Sequence, residues 1–452
     1  MYNKEENKLM ANNYDYVAIV NAVNAQTGGM YGYEFPIVDS KTFKAMAAAL
    51  LDAPTQIQNA YIDNMRNLMC NLLIKKVYTA SNPFRKLYRD PTPMSADGDQ
   101  YVTEVAVDQF IPLAYEMSST PESFFKSAPP RVKVQFLCNC LRKKYVVTIN
   151  MQLLLAAFES EAQFDTFFTT VMTRMYNDME EDDKEEIMAA IDGVIEGGNI
   201  RVVPMTRPVD SPTALEFSKN LDIISRDLSF RRRRDYNVQH LSTKTASEDA
   251  IMIMAGDVVA VQNNYNLAWA FNRSYIDLFE KGQMIVTDSQ GLADNRVFGV
   301  YTDVDWFRIH PAKGFPILKN WENGENLEDK KWLHNWKMVN FSYASNALAF
   351  VEPKDIGVDS VTLHLKDEKA AKECARGKFL VMGLAEVTPM AGKLADCFVK
   401  YSIEGNKSNK TRIDKDTGTL YVAEDETAAK ITITGTSHLD NSKFGTMEIT
   451  VK

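Results

Sequence analysis

The side chains best suited to moving protons near neutral pH are five histidines, His240, His310, His334, His364 and His438, scattered along 452 residues without a shared motif. A zinc peptidase would leave H-E-x-x-H, an acyl-transfer enzyme G-x-S-x-G, and a phosphate loop G-x-x-x-x-G-K closed by Ser or Thr; the sequence contains none of them. Cys138 and Cys140 would share one face of a strand and make half a zinc site. Cys70, Cys374 and Cys397 supply no second pair, so core-facing thiols are the better reading. The acidic run at 178–186 could gather a cation but lacks the spacing of a calcium loop, and it reads as a solvated turn between helices. Asp303 and Asp305 could hold a metal-bound diphosphate; among alternating apolar residues they read as an exposed strand face. No catalytic residue, metal ligand or cofactor is assigned, and an enzyme is not expected. The one strongly basic feature is Arg231, Arg232, Arg233 and Arg234. Four adjacent guanidiniums repel, so they imply a partner. An acidic surface on the same or a neighbouring subunit is favoured over plain solvent or nucleic acid.

Composition narrows the class. Hydrophobic residues at 45% and charged residues at 25% exclude a disordered or collagen-like chain. With 51 basic and 60 acidic residues the net charge is −9, which argues against nucleic-acid binding driven by overall charge. Five cysteines without a framework fit a reducing compartment. The polar start and the short apolar runs lead us to expect a soluble chain inside a cell, with no membrane partner.

Several elements must position these residues. Ile57, Tyr61, Met65, Leu68 and Leu72 recur at helical spacing, so 41–72 reads as two helices broken at Pro54, with a strand at 72–79. Alternation at 101–107 and again at 131–140 predicts a long two-stranded ribbon over 100–148 with an irregular tip at 118–130. Val132, Val134 and Phe136 line one face and Gln135 the other. Two strands alone are marginal in water, so the ribbon must lean on its own domain or on a neighbour. Phe164, Phe167, Phe168, Val171, Met172 and Met175 form an apolar helical stripe, and a second stripe ends at Gly197-Gly198. A helix capped by Ser211 carries Ala214, Phe217, Leu221, Ile224 and Leu228. Strands follow at 250–254, 284–288 and 297–310, in an α+β rather than doubly wound order. After residue 352 the character changes: all five Trp lie before it, and 353–452, with 15 basic and 15 acidic residues, shows the short alternating segments of an antiparallel sandwich.

This order of parts resembles the tailed-phage major capsid proteins of the Hong Kong 97 type. The stretches 14–24, 57–89, 214–230, 249–272, 303–310 and 336–351 are similar to capsid proteins of the phi29-like podoviruses, in the family's order. The resemblance implies a capsid core at 1–352: an N-arm at 1–65, an E-loop at 90–148, a spine helix region at 158–196, an axial domain at 200–300 and a return to the peripheral domain at 301–352. It also implies a bacterial immunoglobulin-like group 2 domain at 353–452, on the pattern of 412–422, where Gly418 supplies a turn and Tyr401 occupies the slot of a core Trp. The function implied is a major capsid protein that self-assembles through hexamers and pentamers into an icosahedral shell. Its partners would be a scaffolding protein, a portal and enclosed double-stranded DNA, in a virion assembled in the host cytoplasm. A surface-binding or adhesive protein built around 353–452 is the alternative. Val132, Val134, Phe136 and Arg231 to Arg234 are the expected inter-subunit contacts. Gln135→Asp is expected to be tolerated much better in shell assembly than Phe136→Asp, and a chain ending near Glu352 is expected still to fold and form hexamers or shells, with lower stability.

Overall fold

The protein is seen in a computed structural model that describes residues 16–39, 42–61, 64, 82–95, 99–107, 132–150, 161–230, 232–269, 283–287, 292, 294–323, 328–367 and 371–452. The strand expected at 72–79 and the tip at 118–130 lie outside them, as do the side chains of Phe164, Phe167, Phe168, Val171 and Met172. The chain divides into two compact units, Met1–Arg85 with Leu141–Lys184 and Ala312–Lys337, and Lys86–Cys140 with Glu185–Pro311 and Met338–Lys452.

In the first unit, helices α1 (Tyr16–Tyr31) and α2 (Phe43–Asp52) precede a further helical stretch at 55–61 that begins after Pro54, where the missing N–H makes a break cheap. Asn21 pins the intervening segment by donating to the Val38 carbonyl at 2.7 Å and accepting from its N–H at 2.8 Å. Helix α3 (Glu161–Glu196) corrects the sequence reading, because its 36 residues run unbroken through the acidic stretch. Glu180 and Asp183, three residues apart and so on one helix face, are both buried. Arg85 pairs with Glu180, while Asp183 takes the Lys337 ammonium and an N–H from Asn335 at 2.9 Å. A solvated turn was expected because charge density was read without its partners, which lie about 95 and 154 residues away.

In the second unit, α3 ends as expected at Gly197-Gly198: Asn199 N–H returns to the Val194 carbonyl at 3.0 Å, and Gly198 takes φ +69. Five strands, β4 (Arg201–Pro204), β5 (Ala250–Met254), β6 (Gln283–Val286), β7 (Val297–Asp303) and β11 (Ala347–Val351), form a mixed sheet in the order β4-β11-β7-β5-β6. Helix α4 (Ser211–Phe230) lays Phe217, Leu221 and Leu228 on Met252, Met254, Phe298 and Phe350 of this sheet, and Phe217 meets Phe350 edge-on at 5.8 Å. Asp210, not Ser211, caps α4: its carboxylate accepts the Thr213 N–H at 3.1 Å.

The expected ribbon is shorter than the sequence suggested. Strand β1 (Val102–Val107) pairs antiparallel with β2 (Val132–Leu137), but the chain breaks at 138–139, where Asn139 bonds to Val339 and Asn340. Strand β3 (Cys140–Asn150) then joins β10 (Glu328–Phe341) instead. The break separates the two thiols: Cys138 is exposed and Cys140 half-buried, so they are neither a shared face nor core-facing.

The described residues of 353–452 carry nine short strands around a hydrophobic core cluster that runs from Val358 to Val451. Gly418 sits at φ +64 in the turn before one strand, where a Cβ would lie 2.8 Å from Met382 and 3.0 Å from buried Tyr401. Glu426 organises a loop here. Burial by itself would raise its pKa, but hydrogen bonds from the Thr411 hydroxyl and the N–H groups of Ala428, Lys407 and Ser408 outweigh that and push it down to about 2.

Two outcomes follow from these buried charges. Lys337→Ala strands Asp183 and is expected to cost about 3–5 kcal/mol in urea unfolding, whereas Glu181→Ala on the exposed side of α3 changes stability by no more than ~0.5 kcal/mol. Glu426 has a folded pKa below its ordinary value of 4.5, so the stability it lends is whole above pH ~4.5 and is lost as pH falls towards 2. Acid unfolding of the C-terminal residues should therefore move to higher pH in Glu426→Gln.

Candidate functional site

The register of the ribbon sets opposite Val132 and Val107, Val134 and Val105, and Phe136 and Thr103. These side chains form one face, and it is open to solvent: Phe136 is 76% exposed, Val105 59% and Val134 50%. The polar face is the one that docks. Gln135 donates to the Phe341 carbonyl and accepts from the Tyr343 N–H, both at 2.9 Å, and Lys133 reaches the Gln239 carbonyl. Glu104, directly across from Gln135, accepts from Arg308 at 2.8 Å in a pair whose side chains are less than a fifth exposed. Gln135 is thus engaged rather than free at the surface: its amide matches one main-chain donor and one acceptor, and a carboxylate there could not donate. Val105 and Val107 extend the apolar face, and only the cross-strand register reveals that they belong with Val132 and Val134.

The arginine run is divided. Arg231 lies outside the described residues, and Arg232 is exposed. Arg233 pairs with Asp227, whose hydrogen bond holds the guanidinium above its ordinary pKa. Arg234 meets Asp414 at 3.2 Å in the C-terminal region of the same chain. Both of these partners are acidic groups of the same subunit.

The remaining chemistry candidates do not converge. Asp303 is largely buried rather than on an exposed face; burial raises its pKa against hydrogen bonds from the Asp305 N–H and the Thr245 hydroxyl. Asp305 is exposed, 3.7 Å from both Arg89 and Arg308. Half-buried His240 is held below its ordinary pKa by desolvation and meets Phe398 edge-on at 5.6 Å. Among the described residues no cluster of His, Cys, Asp or Glu could hold a metal ion, and no helix is long and apolar enough to cross a membrane.

The ribbon thus presents an apolar face to water on a polar mount, with no chemistry beside it among the described residues. The model of the Phi29-like phage major capsid protein family matches residues 20–351. The chain belongs to that family. It is a structural component of the virion that assembles with copies of itself into a shell. The major capsid protein of Bacillus phage PZA is 26% identical over 440 residues, covering 96% of this chain and 94% of that one. That of Bacillus phage B103 is 24% identical over 340 residues, 75% of this chain and 73% of the other. Among solved structures, the capsid of Staphylococcus phage Andhra aligns with a TM-score of 0.47 at 14% identity, over 60% of this chain and 84% of that one.

Removing Gln135 leaves a main-chain donor and acceptor unmatched, so Gln135→Ala is expected to destabilise the unassembled capsid chain by about 1–3 kcal/mol in urea, with the ribbon becoming the first site of proteolytic nicking.

Proposed function

We propose that this protein forms an icosahedral head of Hong Kong 97 type, through hexamers and pentamers, around double-stranded DNA, and that the outer face of the ribbon is covered by a neighbouring subunit. The sidedness of the ribbon carries the reading. Val105, Val107, Val132, Val134 and Phe136 stay in water while the face bearing Gln135 and Lys133 is held by the chain's own main-chain groups. A row of apolar side chains on a two-stranded edge invites a protein partner. Fully burying one of them is worth roughly 1.5–3 kcal/mol, and a shell repeats the contact at every subunit.

The further parts of this reading follow the family. The ribbon is the E-loop, α3 the spine helix, and the sheet under α4 the axial domain. Residues 353–452 are an immunoglobulin-like domain of group 2, supported by their own core and by the turn at Gly418, while Tyr401 departs from the pattern by standing where a core Trp is usual. A scaffolding protein and a portal would act during assembly in the host cytoplasm. The net charge of −9 suits a container from which a genome must leave. Arg232 remains exposed for a contact with a neighbour.

Phe136→Asp is expected to leave the urea midpoint of the unassembled chain unchanged and to abolish closed shells in light scattering and electron micrographs. Normal shells from this variant would place the outer face of the ribbon away from any subunit contact.

A further inference from the structure

Strand β4 is the edge of the five-stranded sheet, and an edge strand offers unpaired N–H and C=O groups to any passing strand. The N–H of Met205, just past its end, bonds to Val351 of β11 at 2.9 Å, so residues 203 and 205 face inward and residues 202 and 204 face outward. Residue 204 is Pro204, which has no N–H to offer. The outward N–H of the strand is therefore that of Val202, and it donates at 2.7 Å to Asp396 Oδ2. Asp396 is 1% exposed and comes from the C-terminal region. Its other oxygen, Oδ1, accepts the Phe398 N–H at 3.2 Å and lies 3.1 Å from His438 Nδ1.

The same segment runs on along the entry to β4. Cys397 N–H donates to the Gly198 carbonyl at 3.1 Å, and the left-handed Gly198 leaves a Cβ-sized gap only 3.4 Å from the Ala395 carbonyl and 3.5 Å from the Cys397 nitrogen. Arg201 lies over the Phe398 ring at 5.6 Å, Arg296 donates to the Gly392 carbonyl at 3.0 Å, and Arg234 reaches Asp414. The contacts of Val202, Gly198 and Arg201 lie on β4 or at its entry, and those of Arg296 and Arg234 hold the same C-terminal region elsewhere on the unit.

We propose that the C-terminal region is the cap of the β4 edge: Asp396 takes up the outward N–H of Val202 in the same chain, and without this cap the edge becomes a template for pairing with a strand of another molecule. The proposal goes beyond the capsid reading and runs against the expectation that a chain ending near Glu352 is self-sufficient, since that chain would uncover Val202.

Hydrogen exchange of the full-length, unassembled chain tests it. In Asp396→Ala, amides at 200–206 should exchange about tenfold faster while those at 430–451 keep their protection, and the protein should form β-rich aggregates that bind thioflavin. His438→Ala removes a partner of the same carboxylate but leaves Val202 covered, so 200–206 should stay protected. Unchanged exchange at 200–206 in Asp396→Ala overturns the proposal. Equal loss at 200–206 in both variants also overturns it, because that is what a carboxylate serving only its own region would give. An Asp396→Ala chain that exchanges faster yet stays monodisperse overturns the protective role. Failure of the wild-type chain to form shells would count against the capsid reading and leave the exchange result untouched.

Discussion

A two-stranded ribbon has two faces and, within its own chain, one body to lean on. Here the body takes the polar face. Gln135 and Lys133 are spent on the main chain at 341, 343 and 239, and Glu104 on Arg308, while the valines and Phe136 are left exposed. A globular monomer would make the opposite choice, because turning the apolar side inward removes it from water at no cost in hydrogen bonds. The inverted mount holds because each polar group on it finds a matched donor or acceptor, and it leaves the apolar side in water, where a partner could cover it.

The same economy governs the ionic interior. Glu180 and Asp183 would break the apolar face of α3 if they stood alone, yet each meets a cation from a distant segment, and the helix continues through a stretch that carries many like charges. Glu426 does the equivalent in the C-terminal region, where main-chain N–H groups rather than a cation neutralise it. Asp396 joins both themes, as a buried carboxylate satisfied by main-chain donors, one of which belongs to the sheet edge it covers. Buried acids in this protein mark the places where separate stretches of chain are held together.

Much of the architecture was legible in order. The buried strand at 250–254, the stripe of α4 and the glycine stop after α3 all rest on spacing within about ten residues, which local periodicity records faithfully. The faces of the ribbon were legible too, since alternation separates Phe136 from Gln135 whatever lies beneath. Which face docks was not, because that depends on main-chain groups some 200 residues further on. The acidic stretch was misread for the same reason, and Asp396 gave no signal at all: one aspartate among many has no period.

The sequence by itself determined the buried strands, the helix stripes, the alternation that gives the ribbon two faces, and a family likeness that the comparison then established over residues 20–351. Only the tertiary structure decided which charges are buried, where the ribbon ends, that Arg233 and Arg234 are neutralised within the chain, and that Val202 is met by Asp396. The division has a physical cause. Propensity and amphipathic period act between neighbours in sequence, whereas desolvated charges and strand edges are settled by whichever distant group supplies the missing hydrogen bond.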